Sequence, residues 1–509
     1  MKTLAALPFV LAMALASPVA GAAPAPAQGE ADKLVFQKLA QLKIKPAELC
    51  SDEVFVRRVF LDVIGTLPTA QEARQFLSDT NPGKRGTLID QLLQRDEFAD
   101  YWAMKWGNLL RIKSEFPINL WPNAAQSYHE WIRASIRDNM PHDRFVRELL
   151  TASGSNMRRP PVNFYRAIQN RSPEGIAGAV ALAFMGARIG NWPAEKREGM
   201  AAFFSRVGYK TTAEWKEEIV FFDLAKTSGV ARAVFPDGTS ATLSPAQDPR
   251  AVFADWLLTP KNPLFARATA NRVWYWLLGR GIVHEPDDIR PDNPPCNPEL
   301  LEYLARELVA GGYDLKHLFR LILNSRTYQL SSTPADNHPQ GGEHFAFYPA
   351  RRLEAEVLID AINQITGSTE KYVSRIPEPF TYMPKEQRAI ALSDASISSP
   401  FLDLFGRSPR DTGLESEQRS PASTAAQQLH LLNSSHIRRK LEQGAVLEHV
   451  RRQPGNALDE LYLAILSRLP TNGERAIAQA YRRTAEKPLD TALDIAWALI
   501  NSAEFQFRH

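Results

Sequence analysis

Two stretches near opposite ends of this 509-residue chain carry the same pattern of helix-forming and helix-ending residues. Val59–Glu72 and Leu461–Glu474 each run from an apolar helical pattern through Leu-Pro-Thr into Thr-x-x-Glu, which is a capping box for a second helix. Similar apolar segments follow, ending at Phe98 and Phe505, and a third version ends at Tyr328. A helix pair with one apolar face needs neighbours to bury that face. The pattern predicts a mainly α fold with degenerate two-helix repeats; the alternative is chance similarity between capped helices.

One segment breaks the helical pattern. Ile219–Phe222 and Val230–Phe235 are rich in β-branched and aromatic residues, and Pro236-Asp237-Gly238 is a strong turn sequence. These features favour a small β hairpin or edge sheet between two helical domains. The predicted divisions are an N-terminal helical domain at 46–215, the β segment at 216–247 and a C-terminal helical domain at 248–509.

A second irregular region extends over residues 376–423 of the C-terminal domain. It contains many Pro, Ser and charged residues. Its length exceeds that of an ordinary connection between helices, so we expect either a functional loop or an arm that covers other elements.

The first 22 residues have the pattern of a secretory signal peptide. Lys2 supplies the positive charge, an apolar run follows, and Ala20-Gly21-Ala22 is a small-residue cleavage pattern. The apolar run is shorter than the roughly 20 residues of a spanning helix, which favours cleavage near Ala22 over a membrane anchor. We therefore expect a periplasmic or secreted protein that is not an integral membrane protein, with a flexible segment at 23–45.

The charge balance argues against a protein that binds nucleic acid or another acidic polymer. Sixty basic and 57 acidic residues leave a formal net charge of +3. No run of Lys or Arg stands out as a basic patch, and a near-neutral chain has little electrostatic attraction for a polyanion. We therefore expect no nucleic-acid partner.

The chain contains only two cysteines, Cys50 and Cys296. An oxidising compartment would allow them to form a disulfide, and the alternative is two separate buried thiols. Two cysteines alone cannot supply the four ligands of a structural zinc site.

The segment HEPDDIRPDN, from His284 to Asn293, is the strongest candidate for chemistry. Asp287, Asp288 and His284 are the candidate catalytic residues, since a carboxyl group with a raised pKa can act as a general base. Arg290 and Asn293 are candidate binding residues. The carboxylates could instead hold calcium, although the spacing is not that of an EF-hand. In a purely structural interpretation, Asp288 pairs with Arg290 while Asn293 shapes the entry to the next helix.

Arg57, Arg58 and Asp62 form a second cluster, on one predicted helix. Arg58 and Asp62 are four residues apart, so they share a helix face and can pair. The C-terminal repeat does not preserve these charges, since the equivalent positions hold Asp459, Glu460 and Ala464. The cluster is therefore a candidate binding site or an ion pair that reaches the second domain, and buried structural pairing competes with catalysis.

Tryptophans concentrate in two regions, where an aromatic-lined groove could bind sugars or flat ligands. Helical spacing, as in Trp102 and Trp106, more often indicates core packing. The two groups are Trp102, Trp106, Trp121 and Trp131, and Trp274 with Trp276. The common catalytic signatures, such as G-x-S-x-G, H-E-x-x-H and the P-loop, are absent from the sequence.

The segment Asn262–Ser331 combines an aromatic-rich helix, an acidic proline-bearing loop and a capped second helix. It resembles the signature of the planctomycete-type, cytochrome-associated secreted proteins, which pair two domains of unknown function, DUF1549 and then DUF1553. Other matches to the first domain are Arg57–Asp62, Leu67–Thr69, Tyr101-Trp102 and Phe145–Glu148. Other matches to the second are Arg351–Glu356, Phe405–Arg407 and Leu431–Asn433. The resemblance spans nearly the whole mature chain and implies no established reaction.

The chain departs from this family where cysteines are concerned. Family members often carry Cys-x-x-Cys-His, which can attach a c-type haem or bind a metal, after the helix that here reads ALAFMGARIG. Here the chain continues from Ala187 through GNWPAEKREGMAAFF without cysteine or histidine, and the cysteines after Phe405–Arg407 are replaced by GLESEQR. The resemblance thus implies that no cofactor or metal is retained, unless those cysteines form only a removable disulfide or zinc staple in relatives.

Three functions follow as expectations. The first is an exported, non-enzymatic scaffold or partner protein that acts with an unknown periplasmic protein. The second is a hydrolase of a secreted polymer, with the acidic loop as its centre. The third, implied by the resemblance alone, is an accessory of a c-type cytochrome electron-transfer system.

Overall fold

Short antiparallel strands interrupt an otherwise helical fold, which confirms the mainly α class predicted from the sequence. The computed structural model describes residues 29–226, 231–414, 423–444, 456–484 and 488–509. The predicted signal peptide at 1–22 and most of the GLESEQR segment lie outside these residues. None of the described helices combines the length and apolar composition needed to cross a membrane.

The first half of the described chain contains ten α-helices. They are α1 Glu30–Gln41, α2 Asp52–Val63, α3 Ala70–Ser78, α4 Lys84–Leu92, α5 Asp96–Leu109, α6 Pro122–Arg137, α7 His142–Thr151, α8 Asn163–Arg166, α9 Pro173–Met185 and α10 Ala194–Ala201. The second half continues with α11 Pro249–Leu258, α12 Pro263–Leu278, α13 Pro298–Ala310, α14 Leu315–Leu323, α15 Ala355–Thr366, α16 Pro400–Leu404, α17 Ala425–Asn433, α18 Ser435–Glu442, α19 Ala457–Leu466, α20 Asn472–Thr484, α21 Pro488–Ile500 and α22 Ala503–Gln506. Single 3-10 turns lie at Pro160–Val162, Ile189–Asn191, Ala202–Phe204, Leu224–Lys226 and Ala389–Ala391.

The strands form three small antiparallel sheets. They are β1 Gly154–Ser155, β2 Val207–Thr211, β3 Glu218–Phe222, β4 Ala231–Val234, β5 Ser240–Leu243, β6 Arg351–Arg352 and β7 Phe507–Arg508. The spatial order is β1-β3-β2 in the first sheet, while β4 pairs with β5 and β6 pairs with β7. The predicted turn at Pro236-Asp237-Gly238 joins β4 to β5, where Gly238 has φ +89°. The strands begin earlier than the predicted segment at 216–247, because β2 starts at Val207 and β1 lies farther upstream.

The two copies of the repeat have the same local structure. In the first copy, Thr69 Oγ1 accepts the N–H of Glu72 at 3.2 Å, and Glu72 Oε2 accepts the N–H of Thr69 at 2.8 Å. In the second copy, Thr471 and Glu474 make the same reciprocal bonds at 3.2 and 2.7 Å. Both predicted capping boxes are therefore formed, and they start α3 and α20.

The helix that precedes each capping box ends on a left-handed residue. Gly65 has φ +62° and its counterpart Ser467 has φ +61°. A Cβ atom at position 65 would lie 2.5 Å from the ring of Tyr101, so glycine is required in the first copy by space as well as by backbone conformation. The second copy tolerates a side chain at this position.

One arginine bridges the two equivalent glutamates in each copy, but it comes from a different position. In the first copy Arg95 comes from the start of α5, and in the second Arg468 comes from the turn before α20. The ion pairs are Arg95–Glu72 at 2.7 Å, Arg95–Glu97 at 2.6 Å, Arg468–Glu474 at 2.8 Å and Arg468–Glu504 at 2.6 Å. Both copies of the repeat therefore contain the same ion-pair bridge, although the bridging arginine occupies a different position in each copy.

The two predicted helical regions share one continuous hydrophobic core. Trp102 on α5 packs against Trp276 on α12 and Phe319 on α14, with ring centroids 5.2 and 4.4 Å apart. Trp106, one turn further along α5, also contacts Trp276 at 5.4 Å. Both tryptophans of α5 are buried, which confirms the core interpretation of their four-residue spacing.

Part of the segment 23–45, which was expected to be flexible, is instead the packed helix α1. Val35 and Leu39 are buried against the rest of the fold. The fully buried Asp32 accepts the backbone N–H groups of Arg326 and Thr327, both at 2.9 Å. Residues 30–41 are therefore held against the rest of the fold. Their release would expose the apolar face of α1 to water and break the hydrogen bonds of Asp32.

The described part of the irregular region 376–423 lies over the loop that follows α5. Asp394 accepts the backbone N–H of Ser114 at 2.9 Å, and the Ala395 N–H donates to the Ile112 carbonyl at 3.1 Å. The fully buried Arg410 side chain donates from Nε to Asn108 Oδ1 at 2.9 Å. Through these contacts the described part of the region acts as an arm that covers the end of α5 and the loop after it.

Candidate functional site

The acidic loop lies against the residues that follow α9. The Ile289 N–H donates to the Gly186 carbonyl at 2.8 Å. Arg188 Nη2 lies 3.1 Å from Glu285 Oε2 and 3.4 Å from Asp287 Oδ1. The Asp287 side chain is fully buried, whereas Arg188 is partly exposed. Asp287 is thus a buried member of an ion pair rather than an open carboxylate.

The remaining candidates of this loop follow the structural interpretation. Arg290 lies 3.3 Å from Asp288 Oδ2 and 3.3 Å from Asp292 Oδ2. Asn293 Nδ2 donates to the carbonyls of His284 and Asp288, at 3.1 and 2.9 Å, and so closes the loop before α13. Burial lowers the pKa of His284, and the nearby Arg280 lowers it further.

The carboxylates of the loop do not converge on one point. Each carboxylate faces an arginine: Glu285 and Asp287 face Arg188, and Asp288 and Asp292 face Arg290. Among the residues that the structure describes, no group of three or more His, Cys, Asp or Glu side chains could hold a metal ion. Ion pairs with Arg188 and Arg290 therefore brace this loop.

Asp62 lies at the centre of a buried polar network. Its Oδ2 accepts the hydroxyl groups of Tyr328 and Tyr348, at 2.9 and 2.8 Å. Its Oδ1 accepts from Arg351 Nη2 at 3.2 Å and from Arg508 Nη1 at 3.0 Å. The four donors come from three parts of the sequence, at position 328, at positions 348–351 and at position 508, so this carboxylate joins the first helical repeat to β6 and β7.

The network continues beyond Arg508 to a second buried carboxylate. Arg508 Nη2 donates to the hydroxyl of Tyr101 at 2.9 Å and to Glu354. Glu354 Oε1 also accepts from Lys105 Nζ at 2.6 Å. Burial would lower the pKa of Arg508, but Glu354, Tyr101 and Asp62 together raise it above its usual value. Three cations, Arg351, Arg508 and Lys105, thus face two carboxylates, and such mutual compensation is what makes buried charge tolerable.

The two arginines of the Arg57–Arg58–Asp62 cluster bind backbone carbonyls. Arg57 donates to the carbonyls of Ile465 and Phe505, at 2.8 and 2.7 Å, and so attaches α2 to the second repeat. Arg58 donates to the carbonyls of Tyr328 and Leu330, at 2.7 and 2.8 Å. The expected pair between Arg58 and Asp62 is wrong, because Arg58 donates to these carbonyls and Asp62 accepts from donors that also lie outside α2. The expected ion pair reaching the second domain is formed by Asp62.

Cys50 and Cys296 are both free thiols, so the candidate disulfide is not formed in this structure. The backbone N–H of Cys50 donates to the Gln329 carbonyl at 2.9 Å, and that of Cys296 donates to the Ile282 carbonyl at 2.8 Å. Each cysteine is thus fixed by a different neighbour. Burial raises the pKa of the Cys296 thiol to about 11, which makes it a poor nucleophile.

An exposed group of aromatic rings is the feature that sequence patterns failed to reveal. We call Trp121, Trp215 and Phe380 the aromatic cluster; their ring centroids are 4.7, 5.5 and 5.3 Å apart. Trp215 is 58% exposed and Phe380 is 39% exposed. The same loops present Phe116 and Tyr382, which are 81% and 72% exposed. Large apolar side chains grouped on a surface mark an interaction site more often than scattered ones do.

The loops of the aromatic cluster are held by specific hydrogen bonds. Trp121 has φ +73° and Lys216 has φ +61°, conformations that side-chain-bearing residues rarely adopt. Trp121 N–H donates to the Ser114 carbonyl at 3.2 Å, and buried Asn156 donates to the Lys216 carbonyl at 3.2 Å. Strained backbone that the surroundings maintain is concentrated at functional sites.

A cation accompanies these rings. Lys216 Nζ lies 5.1 Å from the centroid of the Trp121 ring and 5.8 Å from that of Trp215. The surface therefore combines an apolar patch with one positive charge. Trp121 was noted among the sequence tryptophans, but no local pattern connects it to Trp215 or Phe380.

One concavity in the described core is small. It has a volume of about 20 Å³, enough for roughly one water molecule, and it is lined mainly by apolar groups, including Trp102, Trp106, His142 and Phe145. Burial lowers the pKa of His142 to about 3, so this imidazole is neutral. Such a cavity has no room for a substrate.

Two protein-family models match this chain, one in each half. Residues 30–190 match the model described as protein of unknown function DUF1549, and residues 249–482 match the model described as protein of unknown function DUF1553. No curated protein and no solved structure matches the chain. The chain therefore belongs to the family of proteins that pair these two domains of unknown function, in this order.

Proposed function

We propose that this chain is an exported, non-enzymatic scaffold protein that binds a periplasmic protein partner through the aromatic cluster. The observation that carries the proposal is the exposure of Trp215 and Phe380 on loops that other contacts hold in place. Tryptophan and tyrosine are enriched among the residues that contribute most to protein–protein binding. A surface of this kind loses unfavourable contact with water when a partner covers it.

The geometry of the rings favours a protein partner over a sugar chain. The planes of Trp121, Trp215 and Phe380 are inclined to each other by 75°, 63° and 56°. A sugar chain is best bound by aromatic faces that lie side by side in one plane, whereas these rings pack edge to face. The result is an exposed apolar surface without a flat stacking platform, which suits a protein partner.

The loops are organised before any partner binds. Ser114 and Glu115, which precede Trp121, donate their N–H groups to Asp394 and Ser396 at 2.9 and 3.0 Å. On the neighbouring loop, Thr212 Oγ1 donates to Glu217 Oε2 at 2.8 Å. Preorganised loops reduce the conformational entropy that binding would otherwise cost.

The polar clusters support the non-enzymatic part of the proposal. Asp62 and Glu354 are buried and bound by arginine, lysine and tyrosine. Asp287 and Asp288, the carboxylates assigned to catalysis by the hydrolase alternative, are paired with Arg188 and Arg290. A general base needs a free site within hydrogen-bond reach of a substrate, whereas each of these carboxylates is engaged by a cation.

The location outside the cytoplasm rests on the signal-peptide pattern at residues 1–22. An electron-transfer accessory is a second alternative beside the hydrolase, and it differs from the leading proposal only in the identity of the partner. A partner that contains c-type haem would join the two proposals.

Site-specific photocrosslinking in the periplasm of the producing cell tests the proposal. A photoreactive amino acid replaces Trp215 or Tyr382, and in a matched control it replaces Ile477, which is 59% exposed on α20, far away in the sequence. We expect positions 215 and 382 to yield the same discrete protein adduct, which position 477 does not yield. Double substitution Trp121→Ala and Phe380→Ala should abolish that adduct while the circular dichroism spectrum is unchanged.

Two outcomes would overturn the proposal. One is an absence of adducts at 215 and 382, combined with quenching of tryptophan fluorescence by a polysaccharide, which would make the cluster a sugar site. The other is turnover of a secreted polymer that Asp288→Asn abolishes in a folded protein, which would establish the hydrolase alternative.

A further inference from the structure

His430, His436 and Glu370 form a hydrogen-bonded row outside the regions described above. His430 Nε2 lies 3.3 Å from His436 Nδ1, and His436 Nε2 lies 2.9 Å from Glu370 Oε2. His430 is in the last turn of α17 and His436 in the first turn of α18. The cap residue Ser434, between the two helices, turns the chain so that both imidazole rings meet.

The contacts around the row define which nitrogens carry protons. Glu370 Oε2 lies 3.1 Å from Lys440 Nζ and 2.9 Å from His436 Nε2, so the carboxylate accepts the Nε2–H of His436. In the tautomer that donates from Nε2 to Glu370, the lone pair of His436 lies on Nδ1, the nitrogen that faces His430.

We propose that His430 Nε2 and His436 Nδ1 bind one divalent transition metal ion of the type that prefers imidazole, such as Zn²⁺ or Cu²⁺. Two imidazole nitrogens bound to one tetrahedral zinc ion at about 2.0–2.1 Å lie about 3.3–3.4 Å apart. The observed separation of 3.3 Å has this value. The metal takes the place of the proton that lies between the two nitrogens, and the His430 ring then carries its proton on Nδ1.

Glu370 supplies the second feature of such a site. A histidine that binds a metal nearly always donates its other ring N–H to a carboxylate, a carbonyl or water, and the carboxylate strengthens the ligand and fixes its tautomer. Glu370 is only 8% exposed and is held by Lys440 Nζ at 3.1 Å, so its position is fixed before a metal arrives. His436 is 29% exposed, which gives an ion access from solvent.

The surroundings also fix the rings and define the type of site. The ring of Phe401 lies 5.7 Å from that of His430 and 6.0 Å from that of His436. With two protein nitrogens, the other coordination positions must be filled by water, so the ion is exchangeable. The site thus differs from a structural zinc centre, in which four protein ligands enclose the metal.

Isothermal titration of the mature, untagged chain with Zn²⁺ alone tests the proposal. We expect saturable binding of one ion per chain, lost in both His430→Ala and His436→Ala. His317→Ala is the matched control, because His317 is also paired with a carboxylate, Glu307, at 3.6 Å but has no second histidine bonded to it. Electron paramagnetic resonance of the Cu²⁺-loaded protein should show two nitrogen ligands.

Glu370→Gln separates a metal site from a simple hydrogen-bonded row. It keeps both imidazoles and should weaken Zn²⁺ binding about 10- to 100-fold. Circular dichroism verifies that each variant is folded. Absence of saturable Zn²⁺ binding by the wild-type chain, or binding that survives both histidine substitutions, would overturn the proposal.

Discussion

Asp62 and Arg508 are 446 positions apart in the sequence, yet Asp62 Oδ1 and Arg508 Nη1 are 3.0 Å apart in the fold. Both side chains are almost completely buried. The contact joins the first helical repeat to β7, which pairs with β6 in register Arg351↔Arg508. The same carboxylate also accepts from Arg351, so one residue holds three segments together.

Substitution of Asp62 by asparagine should be strongly destabilising. The change preserves the shape of the side chain but leaves the buried Arg508 and the partly buried Arg351 without this counter-charge. Removing one partner of a buried ion pair typically costs about 3–5 kcal/mol. We expect a decrease of that size in the free energy of unfolding, measured by urea denaturation and followed by circular dichroism.

The control for this measurement is an ion pair on the surface. Glu148 pairs with Arg144 at 3.2 Å one helical turn away, and Arg144 is 67% exposed. Glu148→Gln should change the free energy of unfolding by no more than about 0.5 kcal/mol. Equal effects of the two substitutions would contradict the central role of Asp62.

The two aspartates of the acidic loop should respond differently to neutralisation. Asp287→Asn removes a fully buried charge that faces Arg188, so we expect a clear decrease in melting temperature. Asp288 is 26% exposed and its partner Arg290 is 44% exposed, so Asp288→Asn should cost only about 0–1 kcal/mol. Thermal denaturation of both variants tests this order. A larger decrease in melting temperature for Asp288→Asn than for Asp287→Asn would contradict the assignment of Asp287 as the buried ion-pair partner.

The capping box of the second repeat should make stability depend on pH. Burial would raise the pKa of Glu474, but its bonds with Arg468 and Thr471 lower it from 4.5 to about 2. A carboxyl group with a lower pKa in the folded state stabilises the fold above its unfolded pKa, and this contribution disappears as the pH falls. The loss should therefore extend over the range from about pH 4.5 down to about pH 2.

Comparison with Glu474→Gln isolates this contribution. The variant cannot be ionised at this position, so its stability should decline less than that of the wild type over the same pH range. Urea denaturation at a series of pH values measures both curves. Parallel curves would mean that the bridge from Arg468 contributes no pH-dependent stability.

The two cysteines should remain reduced in the purified protein. After denaturation without a reducing agent, Cys50 and Cys296 should both react with a thiol reagent. In the folded protein Cys296 should react slowly at neutral pH, because burial raises its pKa to about 11 and little thiolate is present. Absence of reactive thiols in the denatured chain would show that a Cys50–Cys296 bridge forms in the oxidising compartment.

Local sequence patterns predicted the helices that have capping residues, because a cap is a bond between residues three positions apart. Thr69 with Glu72 and Thr471 with Glu474 are examples. The turn at Pro236-Asp237-Gly238 was equally accessible, since it depends on the conformations of adjacent residues. The Arg58–Asp62 pair was predicted by the same local reasoning and was wrong, because carbonyls of Tyr328 and Leu330 compete for Arg58.

The helical class, the repeat, the hairpin of β4 and β5 and the resemblance to the paired-domain family could all be read from residue patterns. These properties depend on periodicity, on caps and on residue order. The pairing of β6 with β7, the burial of Asp62 with Arg508 and the exposure of Trp215 and Phe380 follow instead from tertiary contacts. Such groups are formed by side chains from distant segments, and their energies depend on burial and on neighbours that no local pattern specifies.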